Sequence, residues 1–294
     1  MKICHYNEHE AGVIDADRVY PVGAALVAAG QLRDGYTMRE VIERLANQPA
    51  AMQCARQALK GRSVPLAEAK LLAPIENPPS LWAAAANYRA HQAEMKAASG
   101  GPDRAEFSKD DLMAEFFLKP SSSIVGPGGT IVLPRIAQHV DYECELCVVI
   151  GKSARHVSEA QALDYVFGYT ICWDISQREP WGRNRQNTRN IRKGFDTFTA
   201  LGPWIVTKDE LPEPQDTRID VELNGRHVMT AQTRDMICGV RDHIRFLSSV
   251  LTLRPGDLIT TGTPAGVAKL APGDKLKGRI ERVGEMALSV EAQK

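Results

Sequence analysis

Short apolar runs separated by turn residues dominate the chain, and their periods change along its length. Residues 1–22 contain KICHYN, AGVIDA and RVYPVG, three strand-like runs with Asp15-Ala16-Asp17 near a turn, which predict a β-hairpin unit. A helical period follows. Thr37-Met38-Arg39-Glu40 forms a capping box ahead of Val41, Ile42 and Leu45, and residues 50–59 carry a second helical pattern. Ala73-Pro74-Ile75-Glu76-Asn77-Pro78-Pro79 is a break no helix can cross, which places a domain boundary near residue 75. Beyond it, ECELCVVI (143–150) and GYTICW (168–173) read as strands. Ser158-Glu159-Ala160-Gln161 is expected to cap one helix, and Val240, Ile244, Leu247 and Leu251 form the stripe of another. Pro255-Gly256-Asp257 and Pro272-Gly273-Asp274 are two similar turns, each followed by a strand-like run. The expected fold is strand-rich α+β. Residues 1–75 form a small N-terminal α+β domain and residues 76–294 a compact β roll rather than a doubly wound sheet.

Charge and composition narrow the function classes. Lys+Arg and Asp+Glu both number 36, and no basic stripe is present, so nucleic acid and anionic membranes are poor partners. Charged residues interrupt every apolar run before membrane-spanning length, which leads to the expectation of a soluble, cytosolic protein. Six scattered cysteines in a 294-residue chain suit reduced, buried thiols. Cys144 and Cys147 form a C-x-x-C, but within a strand they point to opposite faces, which argues against a redox pair or a zinc knuckle.

Several motifs fail on context. Gly151-Lys152-Ser153 ends no glycine-rich loop, Gly126-Pro127-Gly128-Gly129 has turn rather than dinucleotide spacing, and no G-x-S-x-G elbow is present. The acidic residues are more informative. In a strand Glu143 and Glu145 share a face, and two buried carboxylates need a cation or protons to hold them together. Asp174, ending the next strand-like run, is the candidate third group. Three carboxylates without a histidine suit a hard ion, Mg²⁺ first and then Mn²⁺ or Ca²⁺; a solvated acidic strand edge is the alternative. In Asn87-Tyr88-Arg89-Ala90-His91-Gln92-Ala93-Glu94, a helix would put His91 and Glu94 one turn apart, as a general base acting on water requires, though surface His-Glu pairs also have this spacing. The polar segment 96–111 beside it reads as a mobile lid or a long surface loop.

Taken in order, NYRAHQAE, FLKPSSSIVGPG, VDYECELCVVIGK, GYTICWDISQRE, KGFDTFTALGPW, LNG, TRDMI and ITTGTPAGV resemble the fumarylacetoacetate hydrolase family over about residues 81–291. That resemblance implies a mixed β-sandwich roll, usually homodimeric. It also implies Glu143, Glu145 and Asp174 as divalent-metal ligands, Lys193 beside the metal, and His91 with Glu94 as a water-activating dyad. Thr263 would contact the substrate carboxylate, and Lys119 would line the same cavity. The implied substrate is a 2-oxo acid chelated through its carboxylate and keto oxygen. In a 2,4-dioxo acid of the acylpyruvate type, activated water attacks the distal carbonyl and the C–C bond breaks to leave a pyruvate enolate. Isomerisation or decarboxylation of a related 2-oxo diacid would use the same site, and a silent binding protein is the reading of another class. Two departures bear on substrate: Trp173 stands where many relatives carry Asn, and the link from Asp174 to Lys193 is long and basic. Arg178, Arg183, Arg185, Arg189 and Arg192 in that link are either a clamp for a second carboxylate or a solvated loop.

Overall fold

The computed structural model describes residues 1–99, 104, 106–179 and 188–294. Two mixed sheets face each other. The larger holds twelve strands and is centred on Cys144–Ile150 and Val166–Asp174, which pair antiparallel with Glu145 opposite Cys172. The five-stranded sheet is built from Thr130–Leu133, Arg218–Leu223, Arg226–Gln232, Lys275–Ile280 and Gly284–Ala292. This is the strand-rich α+β architecture expected from the apolar runs. Both Pro-Gly-Asp turns form as anticipated, with Gly256 and Gly273 at positive φ and the Asp257 and Asp274 carboxylates each accepting the backbone N–H three residues earlier. Among the described residues no helix is long and apolar enough to cross a membrane.

Alternation along the central strands sorts the core into two layers. Cys144, Leu146, Val148 and Ile150 pack with Ile171 and Trp173 against Ile219, Val221, Leu276 and Leu288 of the second sheet. Cys147, Val149 and Cys172 point the other way, against Val22, Leu26, Val41 and Ile42 of the N-terminal helices. The two cysteines of the C-x-x-C therefore lie in different layers, and none of the six forms a disulfide. Glu145 continues the register of Cys147 and Val149, and Asp174 that of Cys172. Trp173 is thereby turned away from Asp174 into the intersheet core, where it meets Tyr142 edge-on and lies over Gly278; a Cβ on Gly278 would come within 2.5 Å of the indole. The tryptophan that departs from the family pattern fills the core and does not face the carboxylates.

The N-terminal strands form as read, but they belong to the larger sheet. Lys2–Tyr6 pairs with Thr199–Thr207, so hydrogen bonding continues across residue 75. Thr37 caps Met38–Asn47 with the reciprocal Glu40 bond, and Pro49–Ala58 follows. One helix differs from expectation. After Ser158 the chain forms a 3₁₀ stretch, Glu159–Tyr165, and the Ser158 hydroxyl bonds the Gln161 side chain instead of capping the backbone. Only Ala162 is fully buried there, too little apolar surface to sustain a full helical stripe.

The buried face of helix Val240–Val250 also holds polar residues that the apolar pattern omits, His243 among them. His243 is buried between Val240 and Leu247, edge-on to Phe116, with no hydrogen bond at Nδ1 among the described residues. Burial holds its pKa at about 4 against an ordinary 6.5. The native state therefore refuses a proton that the unfolded chain accepts. Stability from this residue is complete above pH 6.5 and is lost as pH falls toward 4, by about 3 kcal/mol across the window. Urea titrations of His243→Phe should show correspondingly less acid sensitivity; a pH dependence unchanged from the native protein would refute the assignment.

Candidate active site

The carboxylates converge because the strand ends do. Glu143 directly precedes Cys144–Ile150, and its carbonyl accepts the Asp174 amide at 2.8 Å at the end of the partner strand. Glu145 lies two residues along the same face. Glu143, Glu145 and Asp174 are all buried, each offering an oxygen within 4.8 Å of the others. The neighbouring strand Leu258–Thr260 pairs with Cys144–Ile150 and brings Gly262 to the cluster, where its N–H donates to Glu145 Oε2 at 2.7 Å. Gly262 has φ of 87°, and a Cβ there would come within 2.8 Å of Asn87 Cβ. Asn87 in turn donates to the carbonyls of Thr261 and Cys238 and accepts from the Cys238 amide, each at 2.8 Å. These bonds lock the start of helix Arg89–Ser99 onto the Thr261–Thr263 loop.

That helix carries the dyad. His91 Nδ1 lies 3.0 Å from Glu94 Oε2, and Nε2 lies 3.7 Å from Glu143 Oε1, so the ring bridges its partner and the acidic cluster. A carboxylate at Nδ1 makes that nitrogen the N–H and leaves the Nε2 lone pair toward the cluster. The second oxygen of Glu94 accepts the Gly266 amide at 3.0 Å. Burial pushes the Glu94 pKa up, but the bonds from His91 and Gly266 outweigh it and hold the carboxylate below its ordinary value.

Three cations surround the carboxylates. Lys193 Nζ spans Glu143 Oε2 at 2.6 Å and Asp174 Oδ2 at 2.5 Å. Lys119 Nζ, fully buried, donates to Asp174 Oδ1 and to the Lys193 carbonyl, both at 2.6 Å. Arg178 reaches Asp141 at 2.7 Å through Nε and Glu143 through its terminal nitrogen. Desolvation opposes charge on Lys193, yet Asp174 and Glu143 keep its pKa raised. Glu143 is likewise held well below the usual carboxylate range, against the effect of burial, by Lys193, Arg178 and His91. Glu145 behaves oppositely: burial, then Asp174 and Glu143, push it up to about 8.

Every sequence-derived site residue within the described chain lies in or beside this cluster. Their contacts refine the expectations. The Lys119 ammonium is engaged by Asp174 and by the Lys193 carbonyl. Arg178 is already paired with two carboxylates; Arg189 holds the Glu115 carbonyl and carboxylate, and Arg192 the Gln177 carbonyl. Arg183 and Arg185 lie outside the described residues, as do 100–103 and 105 of the expected lid. The Thr263 hydroxyl is buried and has no hydrogen-bond partner among the described residues. Sequence reading missed Asp141 as a site residue, although Asp141, Glu143 and Glu145 at every second position carry the same strand-face signal. The Gly262 and Gly266 amides left no such signal, since backbone donors do not depend on side-chain identity.

The donor set fits a hard divalent cation. Four buried carboxyl groups, counting Asp141, meet three fixed cations, and Glu145 Oε1 is buried with no hydrogen-bond partner among the described residues. A buried anionic oxygen in that state requires a cation or a proton. Glu143, Glu145 and Asp174 would hold the ion, and an oxygen-only donor set matches the Mg²⁺ and Mn²⁺ class rather than zinc.

Comparisons with known proteins bear on the family of the chain. Residues 80–291 match the family model described as fumarylacetoacetate (FAA) hydrolase C-terminal. A maleylpyruvate hydrolase of Aquipseudomonas alcaligenes is 37% identical over 99% of this chain and 100% of its own. The crystal structure of maleylpyruvate hydrolase from Sphingobium sp. SYK-6 in complex with manganese(II) ion and pyruvate covers both chains in full, at 31% identity and a TM-score of 0.82. A 5-carboxymethyl-2-hydroxymuconate delta-isomerase from Mycobacterium smegmatis also aligns over both full chains, at 28% identity and a TM-score of 0.73. With the family model spanning most of the sequence and a curated relative aligned along nearly all of it, this chain belongs to the fumarylacetoacetate hydrolase family.

Proposed function

We propose that this protein is a Mg²⁺- or Mn²⁺-dependent hydrolase that cleaves the C–C bond of an acylpyruvate-type 2,4-dioxo acid. The observation that carries the reading is the placement of His91, with Glu94 on one ring nitrogen and the Glu143 cluster facing the other. The named activity of the full-length Aquipseudomonas relative supports it, and manganese and pyruvate in the Sphingobium structure support the cation and the product class. Glu143, Glu145 and Asp174 would hold a divalent ion, which when bound would supply Lewis-acid polarisation of the 2-oxo acid carbonyl and offset its carboxylate charge. His91 Nε2 removes a proton from water, and Glu94 stabilises the imidazolium that forms. The water oxygen adds to the distal carbonyl. Cleavage returns the bonding electron pair to C3 of the pyruvate part, which takes up the proton held on His91, giving pyruvate and a second acid and restoring the neutral imidazole. Lys193 offsets negative charge as it develops on the pyruvate part, and the Thr263 hydroxyl donates to the substrate carboxylate.

Isomerisation of a 2-hydroxymuconate-type diacid is the second reading, favoured by the full-length likeness to the Mycobacterium smegmatis isomerase. Steady-state turnover on acylpyruvates, oxaloacetate and hydroxymuconate-type diacids separates the two. Acylpyruvate cleavage should lead the panel, vanish in excess chelator and return with Mg²⁺ or Mn²⁺ more fully than with Zn²⁺. Faster isomerisation or decarboxylation than cleavage under the same conditions would overturn the assignment. A homodimer, as the family resemblance implies, is part of this proposal and is checked by sedimentation equilibrium.

A further inference from the structure

A second cluster of ligating side chains stands apart from the carboxylate site. His5 on strand Lys2–Tyr6, His9 in the turn to strand Glu10–Asp15, and Glu76 after strand Leu71–Leu72 each offer one ligand atom, all within 4.8 Å of one another. Pairing of His5 with Leu72 brings the segment bearing Glu76 alongside the hairpin. The two imidazole rings lie 5.1 Å apart between centroids, and His9 Nδ1 is 3.3 Å from Glu76 Oε2.

His5 is buried, and its Nδ1 lies 3.2 Å from the Ala73 carbonyl. A carbonyl only accepts, so the tautomer with its proton on Nδ1 satisfies this contact and leaves the Nε2 lone pair for an ion. Fixing one ring nitrogen on a backbone carbonyl is how proteins orient imidazoles that bind metal through the other. His9 adopts φ of 65° in a turn where Asn7 has φ of 50°; glycine or asparagine would be the easier choice at such a position. The three residues open onto a cleft of about 370 Å³ that also includes Tyr36 and Asn77. His9 and Glu76, the two more exposed members, have room to close on an ion while His5 stays fixed.

We propose that His5, His9 and Glu76 bind a divalent transition-metal ion of the zinc class, independently of the carboxylate site. Two imidazoles and one carboxylate form a borderline donor set that suits Zn²⁺, Co²⁺ or Ni²⁺ better than Mg²⁺, and the cleft leaves a fourth position for water. The ion would clip the hairpin turn to the segment that leads out of the N-terminal region. The two sites thus select different metals by donor chemistry.

Cobalt distinguishes them. The full chain, stripped of metal and kept in excess Mg²⁺, is titrated with Co²⁺, and the visible absorption of a low-coordinate, nitrogen-containing site is followed before displacement by Zn²⁺. One equivalent with strong visible bands is expected, with binding weakened about tenfold or more in His9→Asn and in Glu76→Gln. Asparagine retains the left-handed turn at position 9 while removing the imidazole. Equal affinity and spectra in the native protein and both variants would overturn the proposal. In the native protein, the ring resonances of His5 and His9 should shift on adding Zn²⁺; rings unmoved at saturation would overturn it irrespective of how the variants fold.

Discussion

Asp174→Ala should abolish turnover and destabilise the fold by about 3–5 kcal/mol, the cost of leaving a buried charge without its partner. Both oxygens of Asp174 are engaged by ammonium groups, Lys119 at 2.6 Å and Lys193 at 2.5 Å. Lys193 retains Glu143 when Asp174 is removed. Lys119 does not fare as well: its side chain is fully buried, and only the Lys193 carbonyl remains to it. The same substitution removes one of three ligands from the cation site. Asp174→Asn preserves the shape but not the charge, so it should lose activity as fully. Urea denaturation and steady-state kinetics measure the two effects. An Asp174→Ala protein with native stability and native turnover would remove both the charge network and the metal site from consideration.

His91→Ala and Glu94→Ala should each slow acylpyruvate cleavage by about 10²-fold or more, the range for loss of a general base or of the group that holds it. The two need not add, because they act as one unit. Oxaloacetate decarboxylation requires no activated water, so any such side activity should fall much less in the same variants. Lys193→Ala should impair both reactions, since both develop negative charge on a pyruvate fragment. Native cleavage rates in His91→Ala would show that the His91–Glu94 pair is not the base and that the attacking water is activated by another group.

How much of this was readable from residues alone follows a physical division. Local devices were legible: the Thr37 capping box, the two Pro-Gly-Asp turns and the i, i+3 spacing of His91 and Glu94 all depend on neighbours in the chain. Strand alternation also placed Glu143 and Glu145 on one face. Long-range pairing was not legible. Nothing near residue 2 indicates that Lys2–Tyr6 will pair with residues two hundred positions away, so the N-terminal strands read as a separate unit. The same limit hid the partners of Lys119 and Arg178, Asp174 for the first and Asp141 with Glu143 for the second. The 3₁₀ stretch after Ser158 shows that a local helix signal fails when too few apolar positions back it.

The most direct test of the central proposal is the fate of water oxygen. An acylpyruvate incubated with the Mg²⁺-loaded enzyme in ¹⁸O-water should yield pyruvate and a second acid whose new carboxylate carries one ¹⁸O from solvent, with no product in excess chelator. A product that retains every substrate carbon in one molecule and takes up no solvent oxygen at the distal carbon would contradict hydrolysis and identify the enzyme as an isomerase.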